Sequence, residues 1–209
     1  MIIKSKHNYF IYNFIKLYTR YKISRNFHKV YIHGNYCEKK MPVILLSNHV
    51  SWWDGFWAMY LNIILFKRKF HFMMLEDQLR KYSFFKYCGG YSVKKNSRSM
   101  IESLDHSIDI LSEKNNLLLL FPQGQINSLY KSYFKFERGI EKIIASVRDN
   151  VQVIFIVNLV DYFSMPKPTL FMYFKEYEDP GIETEKIEKA YNVFYAACIA
   201  EQNSRIDVI

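Results

Sequence analysis

Four short apolar runs mark the chain, at residues 43–46, 72–75, 117–121 and 153–157. Each is unbroken rather than alternating, the pattern of a strand covered on both faces. Between them lie segments with helical spacing. Ser97 stands where a helix could be capped, and Ile101, Leu104, Ile108 and Leu111 follow as an apolar stripe that ends near Asn115-Asn116. Residues 76–88 read as a second helix stopped by Gly89-Gly90, and residues 137–148 as a third. A fourth spans 183–201, after the turn signal Asp179-Pro180-Gly181. Strands alternating with helices predict an α/β fold, a mostly parallel central sheet flanked by helices, with ligands at the carboxyl ends of the strands. With 209 residues, half of them apolar, the chain has the makings of one domain with a sizeable core.

Upstream of the first strand the pattern changes. In residues 8–22, Phe10, Phe14, Leu17 and Tyr21 fall on one helical face, and Asn13, Lys16 and Arg20 lie largely elsewhere. Charge sharpens the contrast. Lys4, Lys6, Lys16, Arg20, Lys22, Arg25 and Lys29 occupy the first 37 positions with no acidic residue among them, which accounts for most of the net charge of +9. Concentrated positive charge suits an anionic surface, phospholipid headgroups or nucleic acid. A basic amphipathic helix with aromatics on its apolar side suits the plane of a membrane interface. Packing on the domain with a solvated back fits the same pattern. No run reaches the roughly 18 apolar residues of a spanning helix, since charges, Pro or Gly interrupt each candidate, residues 55–66 included. Lys16 and Arg20 also break the N-terminal apolar segment, so neither a signal peptide nor a spanning helix is expected. Cys37, Cys88 and Cys198 are odd in number and widely spaced, which points to neither a disulfide framework nor a zinc site.

Two polar turns follow apolar runs. Ser47-Asn48-His49-Val50-Ser51-Trp52-Trp53-Asp54 places an aspartate five residues after a histidine, at the start of the next helix, where the dipole favours a carboxylate. Asp54 could accept one ring N–H of His49 and leave the other nitrogen to take a proton from a hydroxyl. Ser51-x-x-Asp54 also matches a capping box, in which the carboxylate satisfies backbone N–H groups. The second turn, Phe121-Pro122-Gln123-Gly124, offers a rigid bend, a glycine that admits close approach and an amide able to donate and accept. Trp52, Trp53 and Trp57 suit either the wall of a lipid-facing cleft or the core. Cys88 has no basic partner in sequence and reads as a structural cysteine.

Together these motifs resemble the glycerophospholipid acyltransferases, which acylate lysophosphatidic acid and related lipids and carry His-x-x-x-x-Asp and Phe-Pro-Glu-Gly motifs. Here the counterparts are His49 to Asp54 and Phe121 to Gly124. Gly90-Tyr91-Ser92-Val93-Lys94-Lys95 is similar to the family's acceptor motif, with Lys95 where arginine is usual, and residues 134–139 resemble the segment that normally follows. The likeness spans roughly residues 30 to 175.

The basic amphipathic pattern marks residues 1–30 as a membrane-associating segment, and the resemblance implies 31–209 as the acyltransferase domain. An acyl thioester on coenzyme A or acyl carrier protein would be attacked by a lipid hydroxyl, with His49 as general base, Asp54 as its orienter, no metal and no cofactor beyond that co-substrate. Lys94, Lys95, Phe121, Pro122, Gln123 and Gly124 would bind substrate; Lys131 and Arg138 read as surface residues. The implied location is the cytoplasmic face of a membrane, peripheral or monotopic, on anionic lipids. Gln123 replaces the usual glutamate, Ile126 stands where the pattern carries an arginine, and residues 153–157 lack the expected proline. The loss of a cation at Ile126 leaves open a non-phosphate acceptor such as a glycolipid, an amino-lipid or a glycosylated terpenoid. A non-catalytic lipid-binding relative is the alternative outside enzymes. Nucleic acid is not an expected partner, because the basic residues sit on an amphipathic helix and no recognised binding motif occurs.

Overall fold

The computed structural model describes residues 2–95, 97–178 and 181–206. Its strands are β1 (Val30–His33), β2 (Val43–Ser47), β3 (Lys69–Leu75), β4 (Gly90–Val93), β5 (Asn116–Leu120), β6 (Gln152–Asp161) and β7 (Thr169–Glu176). The helices are α1 (Tyr9–Asn26), α2 (Asp54–Leu61), α3 (Glu76–Lys81), α4 (Ser99–Ile110), α5 (Ile140–Val147) and α6 (Thr184–Asn203). All seven strands form one sheet in the order β1-β7-β6-β2-β5-β3-β4. The strands from β2 to β6 are mutually parallel, β7 runs antiparallel to β6, and β1 pairs parallel with β7.

Every residue of β2 and β5 is buried, as their unbroken apolar runs predict. Alternate side chains go to opposite faces. Ile44, Leu46, Leu118 and Leu120 pack with Ile143 of α5 and Ile187 and Tyr191 of α6. Val43, Leu45, Leu117 and Leu119 pack with Ile23 of α1 and with Trp57 and Leu61 of α2. Each such aliphatic side chain contributes ~1.5–3 kcal/mol by leaving water, and this two-sided core holds the strand ends in place.

Two predicted stripes turn differently. In α4, Ile101 is exposed, and the sheet side takes the small Ser103 and Ser107 with Ile110, so the helix comes close to the sheet. Ser97 lies before α4 and bonds the Lys94 carbonyl and the Ser99 hydroxyl instead of capping the helix. In α1, Ile15, Thr19 and Ile23 face inward, and the stripe read from sequence faces out, with Phe10 80% and Leu17 68% exposed. That stripe therefore does not pack on the domain.

Asn8 caps α1, its Oδ1 accepting from the Phe10 and Ile11 amides at 3.1 Å each. The preceding residues line the open edge of β4, where Ser92 N donates to Ile3 O at 2.9 Å, and the segment just before it, where Lys6 N donates to Lys86 O at 2.8 Å. The covered edge has fewer unpaired backbone groups to offer another chain. Residues 76–88 form α3 and a 3-10 helix, closed by Gly89 at φ +100°, where a β-carbon would collide with the Phe70 carbonyl. Asp179 and Pro180 of the predicted turn lie outside the described residues. No helix among the described residues is long and apolar enough to cross a membrane.

Candidate active site

His49 and Asp54 sit where β2 ends and α2 begins, on a turn fixed from below by asparagines. Asn48 Nδ2 donates to Asn158 O on β6, and Asn158 N returns a bond to Asn48 Oδ1, both at 2.9 Å. Asn158 Nδ2 also donates to Ser47 Oγ. Both amides are fully buried, which makes their pairing necessary as well as stabilising.

His49 Nδ1 lies 2.7 Å from Asp54 Oδ2, and the Val50 and Ser51 amides donate to the same oxygen at 2.7 and 2.8 Å. The carboxylate thus ties down the turn ahead of α2 and holds the imidazole at once, while the helix start itself has no side-chain cap. Two backbone donors aimed at Oδ2 make it an acceptor, so the ring proton belongs on Nδ1 and the Nε2 lone pair is left free. Burial raises the Asp54 carboxyl above its ordinary range, opposed by the hydrogen bonds from His49 and the turn amides. Asp54 Oδ1 is buried and has no partner among the described residues. The His49 side chain is 23% exposed, and its Nε2 meets no protein partner among the described residues.

The second turn closes on the first. Phe121 stacks on the imidazole, ring centroids 4.0 Å apart and planes within 14°. Gln123 Nε2 and Asn127 N both donate to His49 O, at 2.9 and 2.8 Å. Gln123 is buried, and its Oε1 has no partner among the described residues. Pro122 O accepts from Glu137 N at 2.7 Å. Gly124 adopts φ +64°, and a β-carbon there would come within 2.7 Å of Lys95 Nζ and 2.9 Å of Glu137 Cγ. Lys95 Nζ and Glu137 Oε1 form an ion pair at 2.9 Å over this glycine.

Of the residues singled out in the sequence, His49, Asp54, Phe121, Pro122, Gln123, Gly124 and Lys95 therefore converge. Lys94 is exposed and its charge bears on Glu76 instead. Asn48, Asn127, Glu137 and Asn158 join the site without having been anticipated; a buried asparagine within the apolar run of β6 is the one local signal among them. Trp57 belongs to the core, and Trp52 is exposed. Trp53 lines a cavity of about 430 Å³ between α1, α2 and the β6–β7 loop, with Ile23, Phe27, Phe56, Trp57 and Tyr162. A larger cavity, about 640 Å³, opens at the opposite end of the sheet near Tyr36, Arg68 and Lys114, and none of the converging residues lines it. Burial pushes the Cys88 and Cys198 thiols up to about 12, away from nucleophilic use. Among the described residues no group of three or more His, Cys, Asp or Glu side chains could hold a metal.

No curated protein matches the chain. The crystal structure of the 1-acyl-sn-glycerophosphate (LPA) acyltransferase PlsC from Thermotoga maritima superposes with a TM-score of 0.67 at 16% sequence identity, covering 94% of this chain and 81% of that one. Its likeness is one of fold: a mostly parallel sheet with helices on both faces and an N-terminal helix. The family model described as Acyltransferase matches residues 29–158, from the start of β1 through the asparagine that anchors the His49 turn. With most of its length matched by that model, the chain belongs to the acyltransferase family.

Proposed function

We propose that this acyltransferase moves a fatty acyl group from a thioester of coenzyme A or acyl carrier protein to a hydroxyl of a lysophospholipid, with His49 as general base. The observation that carries the reading is the contact at 2.7 Å between a partly exposed imidazole and a carboxylate oxygen held by two backbone amides. His49 Nε2 takes the hydroxyl proton as the oxygen attacks the thioester carbonyl and the new C–O bond forms. Collapse of the tetrahedral intermediate breaks the C–S bond, and the leaving thiolate takes the proton back from Nε2. Asp54 stays ionised and stabilises the transient imidazolium, as an orienting carboxylate does. The stacked Phe121 holds the ring plane between turnovers.

Two features support a site fed from a lipid layer. Tyr9, Phe10, Phe14, Leu17 and Tyr21 form an exposed strip along α1, with Arg20 and Arg25 exposed on the same helix. The cavity under Trp53 is mainly apolar and borders α1, suiting an acyl chain.

The test is transfer from acyl-coenzyme A and acyl carrier protein donors to a panel of lysophospholipids and glycolipids in mixed vesicles. The native chain is expected to acylate a lysophospholipid, and His49→Ala to lose that activity while staying folded. Transfer by His49→Ala at the native rate, or none by the native chain, overturns the reading. The double substitution Phe10→Ser with Leu17→Ser is expected to weaken sedimentation with anionic vesicles severalfold at constant salt. Its melting temperature should stay close to native, since exposed substitutions usually fall within about 0.5 kcal/mol.

A further inference from the structure

The pair formed by Lys95 and Glu137 places opposite charges side by side over Gly124, and both side chains are about half exposed. The glycine lets them settle on the turn whose neighbouring residues stack on His49 and bond its carbonyl. An acceptor headgroup next to His49 therefore meets two charges, not one. Around them, Gln123 spends its amide N–H on His49 O, Ile126 is an exposed apolar side chain, and Lys94 is exposed.

A terminal phosphate monoester reaching Lys95 would be drawn to the ammonium and repelled by the carboxylate about 3 Å beyond it, and Coulomb's law makes the two effects comparable. A headgroup that carries its own ammonium next to a phosphodiester meets no such conflict. Its phosphate takes Lys95, its ammonium takes Glu137, and one ion pair becomes an alternating set of four charges. Resting on the reading of the site given above, we infer that Lys95 and Glu137 form a two-charge seat for a zwitterionic acceptor, a lysophosphodiester with an amine in its headgroup. The seat disfavours an acceptor that ends in a bare phosphate.

The experiment pairs binding with turnover. Calorimetry of the full chain with glycerophosphoethanolamine and with glycerol 3-phosphate reads the headgroup preference without any chemistry. Acylation of lysophosphatidylethanolamine and lysophosphatidic acid reads it in catalysis. The native chain is expected to favour the zwitterion by about tenfold, the worth of one charge-assisted hydrogen bond. Glu137→Gln should shift the ratio about tenfold toward the monoester, and Lys95→Met should weaken both ligands. A ratio unmoved by Glu137→Gln, a native preference for the monoester, or no binding of either headgroup overturns the seat. Zwitterion preference without acyl transfer supports the seat and removes the catalytic reading instead; transfer with a ratio unmoved by Glu137→Gln removes the seat alone. Both side chains are exposed enough for the variants to fold, which thermal unfolding checks.

Discussion

Two groups of histidines meet opposite fates in this fold. His49, at the end of β2, keeps part of its ring in reach of solvent and has a carboxylate on one nitrogen. His71, on β3 at the other end of its strand, is buried, and its ring lies 4.6 Å from that of His7 in the N-terminal arm. Burial, then the neighbouring His7, Lys69 and His106, push His71 down to about 3; burial, with Lys69 and Lys16, pushes His7 down to about 4 against the bond to Phe70 O. Every charge bearing on His71 is positive when present. An imidazole is a base for chemistry only where an anion orients it and a substrate can reach it; elsewhere the same ring is a neutral part of the core.

The largest expected effect separates the two groups outright. His49→Ala should lower the turnover number ~10⁴-fold, the upper range for loss of a general base, and His71→Phe should leave it near native. Asp54→Asn comes next. It preserves the size of the side chain but weakens the acceptor for Nδ1, and a fall of ~10² in turnover is expected from single-turnover kinetics. Phe121→Leu keeps apolar bulk and removes the stack, so the ring loses its fixed plane. A loss of about tenfold in turnover at unchanged thermal stability would match a positioning role.

The smallest effect is on stability alone. The folded protein holds His7 and His71 neutral at pH values where the unfolded chain, with its ordinary histidine value of 6.5, binds protons. Stability is thus intact above about pH 6.5 and declines as pH falls toward about 4 and then about 3. Urea midpoints should drop across that window in the native chain and drop less in His71→Phe. An equal drop in both would mean that other groups dominate acid unfolding.

How far the sequence could be read depended on the distance over which each feature is built. His49 and Asp54 are five residues apart, and the turn that joins them is local. Lys95 and Glu137 are 42 residues apart, and Asn48 and Asn158 are 110 apart, so neither pairing has a local pattern. The runs of β2 and β5 are buried on both faces and announce themselves. β1 is a half-exposed edge, β4 has four residues, and β7 returns through a loop of aromatic and proline residues in place of an Asn-Gly hairpin turn. In α1 the period was correct, and of the two readings open to its aromatic face the structure removes the one that packs it on the domain. Ile15, Thr19 and Ile23 make a narrower inward stripe next to the aromatic one, and no strong apolar signal in the sequence sets it apart.

The direction of the two strands β1 and β7 has a consequence for where chemistry meets lipid. Because they run against the other five, the chain leaves α1 and enters the sheet at the same end where β2 delivers His49. Phe27, just past α1, touches Trp57 edge-on at 5.9 Å, three residues beyond Asp54. With α1 resting in a leaflet as proposed, substrate and product would diffuse laterally in two dimensions to a reaction centre held at the rim of the layer, and a greasy chain would not have to pass through water between one turnover and the next.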